Sequence, residues 1–492
     1  MKKNSISPLN QKKYEIVSNE KDEILKFLSL NKDKEIIVVQ GLGFVGTAMS
    51  LVCANSKSKD YAVVGLDLPT ENSYWKVGMI KNGELPLESS DPNISKYFIS
   101  AQEKKSFFAT ADKSVLKYAD YVIVDVNLDV KKNHKTNQFQ VQMQGFKNAI
   151  QDLGENCRED VLILVETTVP PGTCKNIVKP IIDKCFKLRN MELERYILGH
   201  SYERVMPGPN YLNSIKNFYR VYSAIKEKDA EQIEQFLKTL ISVEEYPLTR
   251  LHSTQATEMA KVLENSYRAM NISFIVEWSR FAENAGIDLY EVVDAIRMRP
   301  THSNMMYPGL GVGGYCLTKD PLIASWASQE FFNSNALEMS EKAVMTNDLM
   351  PFDAFNFFRN KITSTNKNIS KIAILGVAYG PGIGDTRFSP VESFFRKLHE
   401  QNFELTCFDP YISYWEELNI EVKSNFEVID KGSFDCAIIT TRHNEFENLG
   451  LIVKMLDEGI IVYDTVGAFA KIKDLRKYKN YYLLGSGIHE FS

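Results

Sequence analysis

The apolar and polar positions of this chain follow two periods, short apolar runs of strand length and longer stretches with helical spacing. In the first part of the chain the strand-like runs are Glu35–Gln40, Tyr61–Leu66, Tyr121–Asp125 and Val161–Val165. Helical stretches lie between them, and strands that alternate with helices indicate a parallel, doubly wound sheet. Ligands of such a sheet bind beyond the carboxyl ends of its strands.

The same alternation returns in the last part of the chain. Here the predicted strands are Lys371–Gly376, Glu404–Phe408, Asp435–Thr440 and Ile460–Tyr463. This second series predicts a second Rossmann-like sheet.

Between the two series, from about Asn213, the pattern is mainly helical. Residues Thr254–Ala285 are predicted to form one long helix with Gly286 as its C-cap. Its large apolar residues near helical spacing are Met259, Leu263, Met270, Phe274, Trp278 and Phe281. Large apolar residues all round a long helix indicate a buried bridge between domains or a dimer interface.

These patterns predict an α/β protein with two Rossmann-like, doubly wound parallel-sheet domains joined by a central helical domain. The expected parts are a polar extension (1–34), a first Rossmann domain (35–212), the helical domain (213–345) and a second Rossmann-like domain (346–492). A chain of 492 residues is too long for one hydrophobic core, which agrees with this division. Within the extension, Asp22–Leu30 has the pattern of a short amphipathic helix with no recognisable chemistry.

Composition and charge exclude several classes of protein. The net charge of -5 argues against a nucleic acid or an anionic membrane as the main partner. The 7 cysteines are scattered without zinc-type spacing, so we expect no metal site and a reducing compartment. The amino terminus lacks the apolar core of a signal peptide, and glycines interrupt the apolar run Ile36–Ala54. We therefore expect a soluble, cytoplasmic protein.

The first predicted strand leads into a glycine pattern that is typical of dinucleotide binding. Gly41-x-Gly43-x-x-Gly46 allows a tight turn, close approach of a pyrophosphate and close packing of the following helix. Asp67 ends the second strand, where a carboxylate accepts hydrogen bonds from a ribose hydroxyl and repels a 2′-phosphate. The sequence therefore predicts NAD rather than NADP. The predicted contacts of this cofactor are Gly41, Gly43, Phe44, Val45, Gly46 and Asp67. The glycines from Gly376 to Gly382 depart from this pattern, so we expect no second NAD site.

The stretch Pro308–Leu322 carries the strongest candidate nucleophile. Its glycines lead directly into Cys316, with Lys319 and Asp320 close behind. A neighbouring cation favours the thiolate, which is the reactive form of cysteine. The alternative is a glycine-rich turn that precedes an inert buried cysteine.

Three other sites carry candidate polar residues. On the long helix, Lys261 and Asn265 are four residues apart and share one face, where they can hold and polarise a hydroxyl or a water. The alternative is the edge of a helix with a snorkelling lysine. Glu166-Thr-Thr168 follows a strand at the ligand-facing edge, although an ordinary strand-end turn explains it equally well. Glu203 and Arg204 lie in a segment that by itself reads as a solvated loop.

Taken together, these motifs resemble the UDP-glucose/GDP-mannose (nucleotide-sugar) dehydrogenase family over nearly the whole chain after the extension. The motifs, in the order of the family, are GLGFVG at 41–46, ETTVPPGT at 166–173, ERVMPG at 203–208, EMAKVLENSYRAMNISFIVE at 258–277, PGLGVGGYCLTKDP at 308–321, GVAYGPGIGDTRFSP at 376–390 and FDP at 408–410.

The resemblance implies a four-electron oxidation of the C6 alcohol of a nucleotide sugar to a uronic acid, with two NAD⁺ used in succession. Cys316 would form a thiohemiacetal and then a thioester with the sugar, and Lys261 would stabilise oxyanion charge. Asn265 matches the hydrogen-bonding partner in the family, and Asp320 the carboxylate that activates water. Either Lys261 or a water held by Asp320 and Thr168 would remove the first proton.

The resemblance also implies further site residues. Thr168 and Glu203 match polar residues around the water and the thioester, Glu203 also as a substrate contact, and Thr168 and Lys319 are expected near the cofactor. The expected substrate contacts are Glu203, Lys261, Asn265, Tyr307, Gly309, Gly313 and Arg387. Gly380 stands where the family usually carries a lysine, and Tyr202 where it usually carries a proline, which leaves the identity of the sugar open.

The leading hypothesis is thus an NAD-dependent nucleotide-sugar 6-dehydrogenase that supplies a uronic acid for surface polysaccharide. Its substrate would be a UDP-sugar in preference to a GDP-sugar, and its minimal assembly a homodimer. One alternative is a two-electron β-hydroxyacid dehydrogenase, which needs neither Cys316 nor residues 371–492. The other is a catalytically silent protein that binds nucleotide sugars, which the presence of Cys316, Lys261 and Asp320 counts against.

Overall fold

The chain forms two compact units. The computed structural model describes residues 3–87, 89–133, 136, 138–202, 204, 208–363, 369–430 and 432–487. The first unit comprises residues 1–263 and 326–336, and the second comprises residues 264–325 and 337–492. The four-part division expected from the sequence stays a prediction.

In its described residues, the first unit is built from twelve strands and the helices between them. The strands are β1 (Asn4–Ile6), β2 (Lys13–Glu15), β3 (Glu35–Gln40), β4 (Tyr61–Leu66), β5 (Phe107–Thr110), β6 (Tyr121–Val124), β7 (Asp129–Asn133), β8 (Gln138–Gln142), β9 (Leu162–Val165), β10 (Ile197–Ser201), β11 (Val221–Ala224) and β12 (Thr249–Arg250). The helices are α1 (Lys21–Leu30), α2 (Phe44–Ala54), α3 (Tyr74–Lys81), α4 (Pro92–Glu103), α5 (Met143–Asn156), α6 (Lys179–Leu188), α7 (Tyr211–Lys216) and α8 (Ala230–Leu240).

One sheet of eight strands organises the first unit, in the order β12-β11-β10-β9-β6-β3-β4-β5. All neighbouring pairs are parallel except β10 with β11. Ile37, Val38 and Val39 of the central strand are fully buried, as expected for a strand covered by helices on both faces. The predicted doubly wound sheet is therefore confirmed.

The long helix α9 (Thr254–Ala285) has the bounds that the sequence predicted. The boundary between the two units lies inside it, after Leu263. The other helices of the chain are α10 (Leu289–Arg297), α11 (Asp320–Glu330), α12 (Glu338–Phe357), α13 (Pro390–His399) and α14 (Leu449–Asp457). Within the described ranges, no helix combines the length and the apolar character needed to cross a membrane.

The second unit contains a parallel sheet of five strands. The strands of this unit are β13 (Lys371–Leu375), β14 (Glu404–Phe408), β15 (Tyr414–Trp415), β16 (Ile420–Glu421), β17 (Cys436–Ile439), β18 (Ile461–Asp464) and β19 (Tyr481–Leu483). The sheet has the order β14-β13-β17-β18-β19, and β15 and β16 form a separate pair. A second Rossmann-like sheet is thus confirmed, and the four strands predicted for it begin and end within one residue of those observed. The edge strand β19 was not predicted.

Candidate active site

The turn between β3 and α2 is so tight that two of its three glycines have no room for a side chain. Gly41 has a φ of +105°, and a Cβ there would lie 2.4 Å from the carbonyl oxygen of Asp125. A Cβ on Gly46 would lie 1.8 Å from the carbonyl oxygen of Gly41. Gly43 is the N-cap of α2, and a Cβ there would lie 3.8 Å from Oδ1 of Asn127. The turn therefore fits a dinucleotide pyrophosphate at the helix N-terminus.

Asp67, directly after β4, is held beside this glycine turn. Its carboxylate accepts hydrogen bonds from the backbone amides of Leu42 at 3.1 Å and Leu68 at 2.7 Å. Lys76, the third residue of α3, pairs with the same carboxylate at 2.5 Å. The carboxylate thus stands where the ribose of NAD is expected. Lys76 was missed by the sequence analysis because no short-range pattern joins it to Asp67.

The three polar residues after β9, Glu166, Thr167 and Thr168, have different surroundings. Glu166 is buried and pairs with Arg220 at 2.6 Å. The Thr167 hydroxyl donates to the carbonyl oxygens of Val124 and Val126, both at 3.0 Å. These two residues stabilise the end of the sheet, and the half-buried Thr168 is the one left at its ligand-facing edge.

A buried carboxylate on α9 fixes the following proline-glycine turn. Glu258 accepts hydrogen bonds from the backbone amides of Gly172 at 2.5 Å and Cys174 at 2.8 Å. Burial raises the pKa of the Glu258 carboxyl to about 7. Glu258 was not predicted from the sequence, although it lies three positions before Lys261, a spacing that puts both on one helical face.

Lys261 is buried, and its ammonium lies over an aromatic ring. Its Nζ is 5.3 Å from the centroid of the Tyr202 ring, and both side chains are nearly inaccessible to solvent. The Arg204 guanidinium is 5.6 Å from the same ring, and it donates to the Tyr202 hydroxyl at 3.4 Å. Tyr202, which departs from the family pattern, therefore contacts the candidate catalytic lysine. Glu203 lies outside the described residues.

A neutral histidine completes the surroundings of Lys261. His200 is fully buried, and its Nδ1 lies 2.9 Å from the hydroxyl of Thr257 on α9. Burial, with a smaller contribution from the Lys261 charge, lowers the pKa of His200 to about 3. At neutral pH His200 is therefore uncharged and adds no positive charge next to Lys261.

In the second unit, three of the predicted residues form one buried network. Asn265 Nδ2 donates to Oδ2 of Asp320 at 2.6 Å, and Lys319 Nζ donates to Oδ1 at 2.9 Å. All three side chains are buried, and Lys319 Nζ also lies 4.4 Å from the centroid of the Tyr315 ring. A buried carboxylate is stabilised by such partners. The Lys319 ammonium therefore forms a buried ion pair with the Asp320 carboxylate.

Cys316 is the exposed cysteine of the chain, whereas all the others are buried. Burial raises the pKa of the thiols of Cys53, Cys157, Cys174, Cys185 and Cys407. The backbone carbonyl of Cys316 accepts hydrogen bonds from the amides of Lys319 and Asp320, which open α11. Cys316 thus begins the turn that leads to Lys319 and Asp320. Because its side chain is exposed, its thiol is accessible to a substrate.

The glycines before Cys316 allow close packing as well as unusual backbone angles. Gly311 and Gly314 have positive φ values of +130° and +80°. A Cβ on Gly313 would lie 2.4 Å from the carbonyl oxygen of Phe388, and one on Gly314 would lie 3.0 Å from the Tyr379 ring. The loop before the thiol therefore rests directly on the motif at 376–390.

The remaining predicted substrate contacts lie in the same unit. Arg387 forms an ion pair with Asp385 at 2.7 Å. The Tyr307 hydroxyl donates to Asp294 at 2.5 Å, and its ring lies 4.8 Å from the Arg297 guanidinium. Gly309 lines a cavity of about 220 Å³, together with Arg280, Asp353 and Lys361 among others.

The structure therefore collects the predicted residues into two groups. The first unit holds the dinucleotide turn, Asp67, Thr168 and Lys261, and the second holds Asn265, Cys316, Lys319 and Asp320. The first group can bind a dinucleotide and stabilise negative charge on an oxygen. The second offers an accessible thiol next to an ordered carboxylate, which suits covalent catalysis followed by hydrolysis.

Comparison with known proteins gives matches along most of the chain. Three models of the UDP-glucose/GDP-mannose dehydrogenase family match: its NAD binding domain at residues 35–241, its central domain at 255–348 and its UDP binding domain at 373–471. The first of these matches contains the dinucleotide turn, and the second contains Cys316.

Individual relatives match over nearly their full length. A UDP-N-acetyl-D-mannosamine dehydrogenase of Methanococcus vannielii is 27% identical over 436 residues, 88% of this chain and 92% of that protein. A UDP-N-acetyl-D-glucosamine 6-dehydrogenase of Pseudomonas aeruginosa is 24% identical over 423 residues, 85% of this chain and 93% of that protein. The solved structure of a UDP-D-ManNAc dehydrogenase from Pyrococcus horikoshii shares the fold, with a TM-score of 0.75 and 24% identity over 92% of this chain and 100% of that one.

Proposed function

Because the chain belongs to the UDP-glucose/GDP-mannose dehydrogenase family, and its cofactor is therefore NAD, we propose that it oxidises the C6 alcohol of a UDP-sugar to a carboxylate through a thioester on Cys316. The observation that carries this proposal is the exposure of Cys316 beside the Asn265–Asp320–Lys319 network. A two-electron alcohol dehydrogenase needs no accessible thiol, whereas an aldehyde intermediate is held well by one.

The first oxidation converts the C6 alcohol into an aldehyde. Bound NAD⁺ supplies the hydride acceptor in this oxidation and in the second one. Either Lys261 or a bound water takes the hydroxyl proton. The Lys261 ammonium, held by the Tyr202 ring, is suited to stabilising negative charge as it develops on the C6 oxygen.

Cys316 acts on the aldehyde. Its thiolate sulfur adds to the C6 carbon, and the carbonyl π electrons move to oxygen. This oxygen takes back a proton from the group that accepted the hydroxyl proton, which gives a thiohemiacetal. Loss of the C6 hydride from this adduct, with loss of the hydroxyl proton, leaves a thioester. Covalent attachment keeps the intermediate from escaping between the two oxidations.

Hydrolysis of the thioester completes the reaction. Water adds to the C6 carbon, the carbon–sulfur bond breaks, and the Cys316 thiol is restored. Asp320 orients this water, and Asn265 and Lys319 fix the orientation of its carboxylate. In sum, one alcohol, one water and two NAD⁺ give one carboxylate, two NADH and three protons.

The proposed substrate is a UDP-N-acetylhexosamine, and the proposed product serves surface polysaccharide synthesis. The match to the UDP binding domain of the family supports a UDP-sugar. The names of the relatives support an N-acetylated sugar over UDP-glucose. The cytoplasmic location expected from the sequence stays a prediction.

The test is a panel of UDP- and GDP-sugars assayed for NADH formation, with the products identified by mass spectrometry. A UDP-N-acetylhexosamine is expected to give the highest kcat/KM, with two NADH for each uronic acid. One NADH for each turnover, ending at an aldehyde or ketone, would refute the four-electron reaction.

A Cys316→Ser variant tests the thioester separately. It is expected to lose acid formation while it still forms aldehyde, which a carbonyl-trapping hydrazine detects. A Cys185→Ser variant, which changes a buried cysteine, serves as the matched control. An unchanged yield of acid from Cys316→Ser would remove the covalent step.

A further inference from the structure

The residues before β3 fold onto the cofactor-binding unit. The match to the NAD binding domain begins at residue 35, so this amino-terminal segment (residues 3–31) lies outside the family pattern. The structure shows a hairpin of β1 and β2 followed by α1. Several of its side chains contact α3 or the loop before it, Ser5, Glu20 and Tyr14 among them, and α3 carries Lys76.

The first contact is a helix cap supplied from the segment. Ser73, the N-cap of α3, makes no capping bond with its own side chain. Instead, the buried Ser5 hydroxyl accepts a hydrogen bond from the amide of Trp75 at 2.9 Å and donates to the carbonyl of Glu71 at 2.6 Å. One hydroxyl thereby joins the start of α3 to the loop that follows Asp67.

The second contact is a buried carboxylate. Glu20 accepts hydrogen bonds from the hydroxyls of Tyr74 at 2.8 Å and Thr110 at 2.5 Å, and it pairs with Lys81 at 2.6 Å. Tyr74 and Lys81 are the first and last residues of α3, and Thr110 ends β5. Glu20 therefore ties both ends of the helix to the edge of the sheet.

The third contact is aromatic. A Cβ on Gly78, in the middle of α3, would lie 2.3 Å from the Tyr14 ring, so the ring and the helix backbone are in close contact. The Tyr14 hydroxyl donates to Glu84 at 3.0 Å, and Lys12 pairs with the same carboxylate at 2.5 Å. Close packing of this kind leaves α3 little freedom to shift.

These contacts converge on Asp67. The backbone amide of Asp67 donates to the carbonyl of Thr110 at 3.1 Å, and Thr110 is the residue whose hydroxyl Glu20 holds. The carboxylate of Asp67 pairs with Lys76, which lies on the helix that Ser5 caps. The segment therefore contacts both groups that position Asp67. These are Thr110, which bonds to its backbone, and α3, which carries its ion-pair partner Lys76.

We propose that the amino-terminal segment is a positioning element for NAD, which holds α3 so that Lys76 keeps the Asp67 carboxylate oriented towards the adenosine ribose. This assigns a role to residues that precede the family pattern. The proposal concerns cofactor affinity, so its test needs no sugar and is independent of the proposed oxidation.

The test measures the Kd of NAD by isothermal titration calorimetry on the full chain without substrate. Ser5→Ala leaves two backbone groups without their partner, and it is expected to weaken NAD binding about fivefold to tenfold. Ser29→Ala is the matched control, because the Ser29 hydroxyl is exposed and donates to the carbonyl of Lys26 within α1. The control is expected to bind NAD as the unchanged chain does.

A double-mutant cycle tests whether Lys76 transmits the effect. In a Lys76→Met background, Ser5→Ala is expected to cause little further loss of affinity for NAD, because the ion pair between Lys76 and Asp67 is already absent. Equal losses in both backgrounds would overturn the route through Lys76.

A second variant keeps the proposal testable if Ser5→Ala does not fold. Glu20→Gln weakens the pair with Lys81 without altering Ser5, and it is expected to shift the Kd of NAD in the same direction while the kcat at saturating NAD stays unchanged. If Ser5→Ala and Glu20→Gln lower the Tm but leave the Kd of NAD unchanged, the segment is only a structural support and the proposal is wrong.

Discussion

The Asn265 amide donates to Oδ2 of Asp320 at 2.6 Å, although the two residues are 55 positions apart in the sequence. Lys319 occupies the other oxygen, so the buried carboxylate has a fixed orientation. The helix α9 thus sets the orientation of a carboxylate that belongs to the cysteine loop. The role proposed for Asp320, to orient water at the thioester, depends on this contact.

Asn265→Ala is therefore expected to impair turnover. It removes the donor to Oδ2 and leaves a buried oxygen unsatisfied, at a cost of about 1–3 kcal/mol. We expect kcat to fall at least about tenfold, with a smaller change in the Kd of NAD. Steady-state kinetics and calorimetry measure the two quantities.

Asn284→Ala is the control for this substitution, because Asn284 is an exposed asparagine near the end of the same helix. It is expected to leave kcat within about twofold of the unchanged chain, as for most surface substitutions. A kcat that Asn265→Ala does not change would show that the orientation of Asp320 does not limit the reaction.

Tyr202 offers a second prediction, because its ring and its hydroxyl have different partners. Tyr202→Phe keeps the ring near Lys261 and removes the hydroxyl to which Arg204 donates. Tyr202→Ala removes the ring, and a desolvated cation–π contact is worth about 2 kcal/mol. We expect kcat within about threefold for the phenylalanine variant and a loss of about tenfold or more for the alanine variant. Equal losses in the two variants would show that the ring does not position the lysine.

The sequence was sufficient for features that depend on local pattern. The glycine turn at Gly41 and Gly46, four strands of each sheet and the bounds of α9 follow from period, turn chemistry and caps, which act over a few residues. The strands β5, β10, β11, β12 and β19 were not predicted. The exposure of Cys316 was not determined by pattern, because burial depends on the packing of distant segments. The same holds for the pairing of Lys76 with Asp67.

Residues that the sequence analysis missed or undervalued act through contacts between distant segments. Glu258 holds a turn 86 residues away, and Tyr202 contacts a lysine on another element. Tyr202 was noted as a departure from the family pattern, yet its ring contact follows only from the tertiary structure. The amino-terminal segment was expected to be a polar extension, whereas the polar side chains of Ser5 and Glu20 are buried.

The contrast between Cys316 and the buried cysteines gives a third prediction. Iodoacetamide requires an accessible thiolate, so the native protein is expected to take up one equivalent, at Cys316. Peptide mass spectrometry locates the label, and NADH formation should fall in parallel with labelling. Cys316→Ser is the control and should remain unlabelled in the native state. Fast labelling of a buried cysteine such as Cys174 would contradict the structure.

His200 gives a prediction about stability and pH. The pKa of this imidazole is lowered to about 3 in the folded chain from an ordinary value of 6.5. As the pH falls below 6.5, His200 takes up a proton in the unfolded chain but stays neutral in the folded chain, which favours unfolding. The stability that neutral His200 allows is therefore fully present above pH 6.5 and is lost towards pH 3. At pH 4.5 the loss is about 3 kcal/mol.

His200→Asn removes this titration and keeps a polar atom near the Thr257 hydroxyl. Urea unfolding at pH 7.5 and pH 4.5 measures the free energy of unfolding of both proteins. The unchanged chain is expected to lose about 3 kcal/mol more than the variant between these two pH values. Equal losses would mean that His200 is not kept neutral by burial.

The helix α9 gives the last prediction, which concerns assembly. Its large side chains are exposed along one stripe at intervals of three, four or seven residues, a pattern typical of helices that pack against each other. These residues, each about half exposed or more, are Met259, Leu263, Tyr267, Phe274, Trp278 and Phe281. We propose that a second copy of the chain covers this stripe, because exposed apolar patches of this extent mark interaction sites.

Trp278→Glu would bury a carboxylate in that interface at a cost of several kcal/mol, on the order of 2–5. By light scattering after size exclusion the unchanged chain is expected to be a dimer and this variant a monomer, whereas Gln232→Glu, on the exposed face of α8, should remain a dimer. A monomeric unchanged chain, or a Trp278→Glu variant that stays dimeric, would place the contact elsewhere or remove it.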